Sequence, residues 1–317
     1  MKLIIQIPCL NEEKTLAQTL SALPKSIKGV DVIETLVIND GSSDATVKVA
    51  QGNGVNHIVS FTKRKGLARA FAAGLDAALK AGADIIVNTD ADGQYKGEDI
   101  PRLIKPILEG QADLVIGNRD IENVEQFSWI KKRLQRIGSW VIRHLSGSTV
   151  SDATTGFRAY NRDAALKLNI ISDYTYTLES IIQAEHKSLA IANITISTNE
   201  VKRPSRLFKS IPEYIKRSIL TIVRVYSMYN PFRLFITASA AISCLGILIG
   251  CRFLYYYFTV GGGGKIQSLI LAALLIIIGF QLLVVGLVAD LIASNRRLIE
   301  ETLLRVRKIE LTQKKRE

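Results

Sequence analysis

The chain has few cysteines and few histidines, and this shortage argues against two kinds of cross-linked structure. Three cysteines in 317 residues do not make a disulfide framework. Cys9 follows an apolar run, and Cys244 and Cys251 lie inside another, as expected of thiols kept reduced in the cytosol or the membrane. The three histidines are widely spaced, so the sequence indicates no zinc cluster.

Two common nucleotide-binding fingerprints are also missing. The chain contains neither a G-x-G-x-x-G sequence nor a P-loop. Hydride transfer and P-loop ATPase chemistry therefore have no support. The N-terminal apolar run, residues 3–7, is too short for a secretory signal peptide, so we expect the first third of the chain to stay in the cytosol.

Positive charge and long apolar runs are what the chain has in excess. The net charge of +12 favours an anionic partner: the candidates are nucleic acid, anionic lipid and a phosphorylated substrate. Residues 234–258 and 266–293 are apolar runs longer than the ~20 residues that cross a bilayer. Basic residues flank the pair on both sides, which predicts that both termini are cytosolic. Residues 212–229 have the pattern of an amphipathic interfacial helix.

Short β-branched runs alternate with helical patterns in the first 120 residues. Strands are predicted at residues 3–7, 35–39, 57–61, 83–87 and 113–117. This order predicts βαβ crossovers and a mostly parallel sheet, which binds ligands at the carboxyl ends of its strands. Polar side chains follow four of these strands: Asn11, which we expect to cap the first helix, Asp40, the pair Asp90 and Asp92, and Arg119. They are therefore expected to form one site.

The pair Asp90 and Asp92 indicates a metal. In an extended segment the two side chains point to the same side, and two carboxylates that close repel each other unless a cation lies between them. A hard divalent ion with oxygen ligands, Mg²⁺ or Mn²⁺, fits such a pair. The alternative is an ordinary acidic turn, and the D-x-D pattern alone does not decide between them.

Five motifs in a fixed order carry a family resemblance. They are Pro8-x-x-Asn11-Glu12-Glu13, Asn39-Asp40-Gly41-Ser42-x-Asp44, Asp90-Ala91-Asp92-Gly93-Gln94, Gly117-Asn118-Arg119 and Gly156-Phe157-Arg158. Over roughly residues 1–230 the chain resembles family 2 glycosyltransferases, and it is similar to the branch that charges polyprenyl phosphates, like dolichyl-phosphate mannose synthases. Asn39 departs from the family, which usually has an Asp contacting the nucleoside there. An Asn can still hydrogen-bond a base or ribose.

The resemblance implies a role for each motif. The donor-binding residues would be Pro8, Leu10, Asn11, Glu12, Asn39, Asp40, Asp90, Ala91, Asp92, Arg119 and Arg133. Asp90 and Asp92, assisted by Gln94, would hold Mg²⁺ or Mn²⁺ on the diphosphate. Arg119 and Arg133 would face phosphate oxygens, although Arg133 also fits a solvated helix charge.

The acceptor side of the site is expected to use a basic segment. Arg203, Ser205 and Arg206 would contact the acceptor phosphate, and attraction of the same segment to anionic headgroups is compatible with that role. Asp152 matches a residue often regarded as the base in this family. A phosphate monoester has its second pKa at about 6, so the acceptor hardly needs a base. Asp152 could instead position a neighbour or cap a turn. Asp92, Asp152 and Arg203 are the expected catalytic residues.

The sequence thus predicts an α/β, GT-A type catalytic domain (residues 1–210), an interfacial helix (211–231), a two-helix transmembrane hairpin (232–294) and a basic cytosolic tail (295–317) that packs on the catalytic domain or on another subunit.

The expected reaction is inverting transfer of one sugar from a UDP- or GDP-linked donor to a polyprenyl phosphate at the cytosolic leaflet. Expected partners are these substrates and membrane lipids, not nucleic acid, and the resemblance implies a homo-oligomer. The alternatives are a glycosyltransferase with another lipid or polysaccharide acceptor, and a membrane-anchored basic binding module without turnover.

Overall fold

The computed structural model describes residues 1–119, 152–171, 175–199, 220, 223–224, 226–261 and 266–313. Most of the predicted interfacial helix, and all of the basic segment from residue 202 to 209, lie outside these ranges. The chain divides into two compact units. One consists of Met1–Ile222 with Leu303–Glu317, and the other is Val223–Thr302.

The first unit alternates strands and helices, as expected from the sequence. Its elements are β1 (Lys2–Cys9), α1 (Leu16–Ser21), β2 (Val32–Asn39), α2 (Thr46–Gly52), β3 (His57–Ser60), α3 (Leu67–Lys80), β4 (Ile85–Asn88), a 3₁₀ turn (Gly97–Asp99), α4 (Ile100–Leu108), β5 (Leu114–Arg119), β6 (Arg158–Asn161), α5 (Arg162–Lys167), α6 (Thr177–His186) and β7 (Ile191–Ile196). Two long helices follow, α7 (Pro231–Val260) and α8 (Ile266–Gln313).

The strands form one mostly parallel sheet, which confirms the predicted fold class. Its order is β3-β2-β1-β4-β6-β5-β7. Only β6 runs antiparallel to its neighbours among the described strands. Because Arg158 at the start of β6 pairs with Asn88 at the end of β4, the chain enters β6 at the edge where β1, β2, β4 and β5 end. This edge is called the sheet rim below.

Apolar side chains of the strands fill two cores, one on each face of the sheet. Ile4 and Ile86 pack with Phe71 of α3 on one face, whereas Leu3 and Val87 pack with α4 on the other. Burying a side chain of this size contributes about 1.5–3 kcal/mol. Both faces are covered, as a parallel sheet requires, and the rim is left as the edge that can present polar groups.

The second unit contains a close-packed helix pair. Helices α7 and α8 are long and apolar enough to cross a membrane, and the most apolar stretches of the two are only 11% and 17% buried. The buried residues of α8 are Ala272, Gly279, Gly286 and Ala293, which recur every seven residues. Small side chains at such spacing let two helices approach closely in lipid. Ser239 of α7 accordingly donates a hydrogen bond to the Gly279 carbonyl at 2.6 Å.

The C-terminal end of α8 belongs to the α/β unit. Leu304 and Leu311 pack against the core on the α3 face. Arg307 donates to the carbonyl of Leu166 at the end of α5, at 3.0 Å, and Glu310 pairs with Lys80 of α3 at 3.2 Å. The tail is therefore helical and packs on the α/β unit, which is one of the two arrangements expected from the sequence.

Candidate active site

The loop after β1 and the loop after β2 are tied together. Asn11 accepts a hydrogen bond from the Ser43 backbone through its Oδ1 at 2.9 Å, and its own backbone N–H donates to Ser42 Oγ at 2.9 Å. Its φ is 55°, in the left-handed region that Asn tolerates. The expectation that Asn11 caps the first helix is wrong, because α1 begins only at Leu16. Asn11 instead holds the two loops in register.

Asn39 and Asp40 also act on the main chain around them. Asp40 is buried and accepts hydrogen bonds from the backbone N–H groups of Lys65 at 2.6 Å and Gly66 at 2.9 Å. Asn39 accepts from the backbone of Ser42 at 2.9 Å. Asp40 thereby holds the start of α3 against the rim. The amide oxygen of Asn39, where the family usually has a carboxylate, stabilises the turn that follows.

The other expected nucleoside-pocket residues lie at the same corner. Pro8 lies in β1 opposite Ile38 and is half-buried, as is Leu10. Glu12 is buried, and its carboxylate accepts a hydrogen bond from the Thr15 hydroxyl at 2.7 Å. The structure thus places residues 8–12 and 39–40 together at the ends of two neighbouring parallel strands.

The Asp90–Gln94 loop follows β4 and is shaped by its own hydrogen bonds. Asp92 accepts from the backbone of Gln94 at 3.0 Å, and Gly93 adopts a positive φ of 71°. Ala91 is buried, and its carbonyl accepts from Thr19 at 3.0 Å. Asp90 and Asp92 are half-buried at the rim. This loop can therefore present two anionic oxygen ligands to a cation.

Asp90 and Asp92 are suited to a metal ion that is coordinated jointly by the protein and by a bound substrate. Over the described residues, no group of three or more His, Cys, Asp or Glu side chains could hold a metal. Mg²⁺ is typically bound by one or two carboxylates together with water and substrate phosphates, not by an all-protein cage. The two carboxylate ligands available on this loop match that mode of Mg²⁺ binding.

A buried hydrogen-bond network behind the loop was not anticipated from the sequence. Asn88 is fully buried and donates to the Gly156 carbonyl and to the Tyr176 hydroxyl, both at 2.8 Å. Tyr95 accepts from the Gly156 backbone at 3.2 Å. The available signals were weak, namely an Asn at the end of an otherwise apolar strand and a Tyr directly after the Asp90–Gln94 motif. The network fixes the 155–157 segment against the Asp-bearing loop.

Arg119 and Asp152 form a buried, two-bonded ion pair. Arg119 Nε donates to Asp152 Oδ2 at 2.7 Å, and Nη2 donates to Oδ1 at 3.1 Å. The side chains are 10% and 0% exposed. Burial alone would raise the pKa of Asp152, but the charge and hydrogen bonds of Arg119 and the bonds from Thr154 outweigh it, so the pKa lies below its ordinary value. Asp152 is therefore an anion at neutral pH.

The segment after β7 is attached to the Asp90–Gln94 loop. The backbone of Asn199 donates to the Gln94 carbonyl, and its side chain donates to the Gly93 carbonyl, both at 2.9 Å. Thr198 and Tyr95 form an isolated antiparallel bridge. The expected phosphate ligands Arg133, Arg203, Ser205 and Arg206 lie outside the described residues.

Comparison with known proteins identifies the family. The family model for glycosyl transferase family 2 matches residues 4–168, just over half of the chain, and the chain belongs to this family. Among curated relatives, it is 34% identical to an undecaprenyl-phosphate mannosyltransferase of Micrococcus luteus, over 56% of this chain and 74% of the relative. It is 29% identical to a UDP-N-acetylglucosamine–dolichyl-phosphate N-acetylglucosaminyltransferase of Methanococcus voltae, over 61% of this chain and 83% of the relative.

A solved structure confirms the fold. Glucosyl-3-phosphoglycerate synthase from Mycobacterium tuberculosis superposes with a TM-score of 0.57 at 23% identity, covering 71% of this chain and 80% of that one. The resemblance to family 2 glycosyltransferases and the GT-A type fold predicted from the sequence are thus both confirmed. The protein is a glycosyltransferase.

Proposed function

We propose that this glycosyltransferase moves one sugar, with inversion, from a nucleotide-diphosphate sugar to a polyprenyl phosphate at the cytosolic leaflet of a membrane. The observation that carries the proposal is the rim itself, where the Asp90–Gln94 loop follows β4 and Arg119 ends β5 of the same sheet. The relatives from Micrococcus luteus and Methanococcus voltae differ in the sugar that their names give, but both names give a polyprenyl phosphate acceptor. The two apolar helices fit a lipid acceptor.

The donor binds along the rim from β2 to β5. Residues 8–12 and 39–40 take the nucleoside, and Arg119 takes an oxygen of the diphosphate. Asp90 and Asp92, assisted by Gln94, hold Mg²⁺ or Mn²⁺, as the residues present allow. Structures of glucosyl-3-phosphoglycerate synthase contain UDP with Mn²⁺ or with Mg²⁺. When bound, the ion neutralises charge on the leaving diphosphate.

The acceptor phosphate is its own nucleophile. Its second pKa is about 6, so it is mostly a dianion at neutral pH. One of its oxygens forms a bond to the anomeric carbon while the bond from that carbon to the donor phosphate breaks, and the nucleoside diphosphate leaves. Attack from the face opposite the leaving group inverts the anomeric centre.

The acceptor is brought to the donor by the basic segment after β7. Asn199, after β7, is hydrogen-bonded to the Asp90–Gln94 loop, and Arg203 follows it by four residues in the sequence. Arg203, Ser205 and Arg206 bind the acceptor phosphate there, the two arginines with forked hydrogen bonds. Arg133 adds a second phosphate ligand for the donor.

The domain arrangement follows the proposal. Residues 1–210 form the catalytic domain, 211–231 an interfacial helix, 232–294 the membrane hairpin and 295–317 the cytosolic tail, with both termini in the cytosol and a homo-oligomer as the assembled form. Basic flanks on both sides of the hairpin support this orientation.

A donor and acceptor screen tests the proposal. Purified protein in detergent micelles is incubated with Mn²⁺, with labelled UDP- or GDP-sugars, and with polyprenyl phosphate, diacylglycerol or no acceptor. Label that enters the lipid only with polyprenyl phosphate is the expected result. Label in diacylglycerol or in a polymer would favour the glycosyltransferase with another acceptor, and nucleotide binding without any turnover would favour the binding module.

A further inference from the structure

We infer that Asp152, Thr154 and Arg158 are positioning residues that hold Arg119 in place for the donor diphosphate, and that Asp152 does not act as a base. The inference rests on the proposed function only in giving Arg119 a nucleoside diphosphate to bind. It assigns a task to a buried cluster next to the rim in which only Asp152 and Arg119 had an expected role.

Both carboxylate oxygens of Asp152 accept hydrogen bonds from neighbouring protein groups. Oδ2 accepts from Arg119 Nε at 2.7 Å. Oδ1 accepts from Arg119 Nη2 at 3.1 Å, from the Thr154 backbone at 3.1 Å and from the Thr154 hydroxyl at 2.9 Å. The side chain is fully buried. A general base must reach the proton that it takes, directly or through one water, and this carboxylate is enclosed by donors that it already satisfies.

Thr154 links the acid to the guanidinium. Its hydroxyl accepts from Arg119 Nη2 at 2.8 Å and donates to Asp152 Oδ1 at 2.9 Å. A hydroxyl has one proton to donate and lone pairs to accept with, so Thr154 can do both at once. Two nitrogens of the Arg119 guanidinium, Nε and Nη2, are thereby fixed by three hydrogen bonds.

Arg158 fixes the main chain that carries this pair. Its fully buried guanidinium donates to the carbonyls of Ala153 at 3.0 Å and Thr155 at 2.9 Å. The same group donates to the Thr177 carbonyl at 2.8 Å and the Ser180 hydroxyl at 2.7 Å in the first turns of α6. The partners just named are all neutral, and burying a cation among neutral groups costs free energy compared with an apolar residue. What it supplies is geometry, because one planar group locks the turn containing residues 153–155 onto a helix.

The consequence for Arg119 is a guanidinium that is held on its Nε and Nη2 side. Nη1 forms no hydrogen bond with any residue in the described part of the chain, and the side chain keeps 10% exposure. Preorganised donors that need no reorientation bind developing charge more effectively than mobile ones. The cluster therefore contributes to catalysis through Arg119, by holding Nη1 ready for a diphosphate oxygen.

The test separates positioning from base catalysis by measuring nucleotide binding without any acceptor. Titration calorimetry with UDP and GDP in Mn²⁺ compares the wild-type chain with Asp152→Asn, Thr154→Val and Arg119→Ala, and with the double variant Arg119→Ala/Asp152→Asn. We expect Asp152→Asn and Thr154→Val each to weaken binding about tenfold, since misplacing a binding group is costly. In the Arg119→Ala background, Asp152→Asn should add less than twofold, because its partner is already gone.

Turnover provides the second readout. Asp152→Asn should raise the donor KM about as much as it weakens binding, while the pH profile of kcat keeps its shape between pH 5.5 and 9. Unchanged nucleotide affinity and donor KM, together with a kcat lowered by the roughly hundredfold or more that a general base supplies, would make Asp152 the base and overturn the inference. Thr154→Val keeps the test valid if an Asp152 variant does not fold.

Controls distinguish this inference from the proposed function. Asp113→Asn alters a carboxylate that bonds Asn161 and the Ala190 backbone at the opposite end of β5, and it should leave nucleotide affinity unchanged. Arg158→Met should weaken nucleotide binding in protein whose circular dichroism is native, whereas full affinity in this variant would remove Arg158 from the cluster. If the wild-type chain binds no nucleoside diphosphate at all, the proposed function fails, and the inference fails with it.

Discussion

A methyl group on Gly156 would lie 3.1 Å from Oδ1 of Asp90 and 2.9 Å from the hydroxyl of Tyr176. The carboxylate expected to bind the metal thus lies directly against a bare stretch of backbone. Because the backbone at Gly156 is not in the left-handed region, the requirement for glycine there is one of space. The Gly156-Phe157-Arg158 motif and the Asp90–Gln94 motif therefore meet at one point of the rim.

The close approach predicts that Gly156→Ala impairs catalysis. The added methyl should displace the Asp90 carboxylate, and displacement of a catalytic group by about 1 Å can cost a hundredfold. We expect at least a tenfold loss of kcat/KM and a higher Mn²⁺ concentration for half-maximal activity. Gly52→Ala is the matched control, because nothing lies within 4 Å of its added methyl. Equal activity of the two variants would show that Asp90 is not held by this contact.

Removing the second carboxylate should abolish transfer. Asp92 is half-buried at the rim, so Asp92→Ala deletes the proposed metal ligand with little cost to the core. We expect incorporation of labelled sugar to fall to background, and EDTA to do the same to the wild-type protein, with recovery on adding Mn²⁺. Glu109→Ala, an exposed acid after α4, should retain activity. Full transfer by Asp92→Ala, or in the presence of chelator, would refute the metal role.

Asp40 should matter for both stability and donor binding. Its buried carboxylate accepts from two backbone N–H groups at the start of α3. Asp40→Ala leaves these donors without their acceptor, which costs about 1–3 kcal/mol. A lower melting temperature and a weaker affinity for the nucleotide are expected together. In Asp31→Ala, where the side chain is 83% exposed, neither quantity should change by much. A normal nucleotide affinity in Asp40→Ala would place the nucleoside pocket elsewhere.

The Asp152–Arg119 pair predicts a specific pH dependence of stability. Because the folded-state pKa of Asp152 is lowered, the pair stabilises the fold fully above the unfolded pKa of about 3.9. That stabilisation is lost as the pH falls through the folded-state pKa. The difference in unfolding free energy between the wild type and Asp152→Asn should thus be constant from pH 5 to 7 and shrink below pH 4. Urea unfolding across this range measures it. A difference that does not change with pH would mean that the charge of Asp152 contributes nothing.

Much of the fold could be predicted because its signals are local. The β-branched runs fixed the positions of β1 to β5, with the observed strands differing at their ends, as for β2, which begins at Val32 and not at residue 35. The single antiparallel strand β6 has no such signal. Its four residues, Arg158–Asn161, include two polar ones, and its place between β4 and β5 depends on pairing with strands far away in the sequence.

The residues of the candidate site that lie at the sheet rim could be predicted from the sequence, but the buried contacts that support them could not. The sequence could place Asp90, Asp92 and Arg119 at the rim because each lies at or just after the end of a strand. Asn11 was misinterpreted, since a local capping preference does not reveal that its partner is Ser43 on another loop. The contacts of Asp152 with Arg119 and of Gly156 with Asp90 join segments more than 30 residues apart, and only tertiary packing determines them.

The most direct test of the account is identification of the product. The protein in detergent with polyprenyl phosphate, Mn²⁺ and the donor sugar nucleotide selected in the screen should yield a polyprenyl-phosphate monosaccharide by mass spectrometry. Its anomeric configuration by NMR should be opposite to that of the donor. A product with two or more sugars, one with retained configuration, or sugar found only on another acceptor would contradict the account.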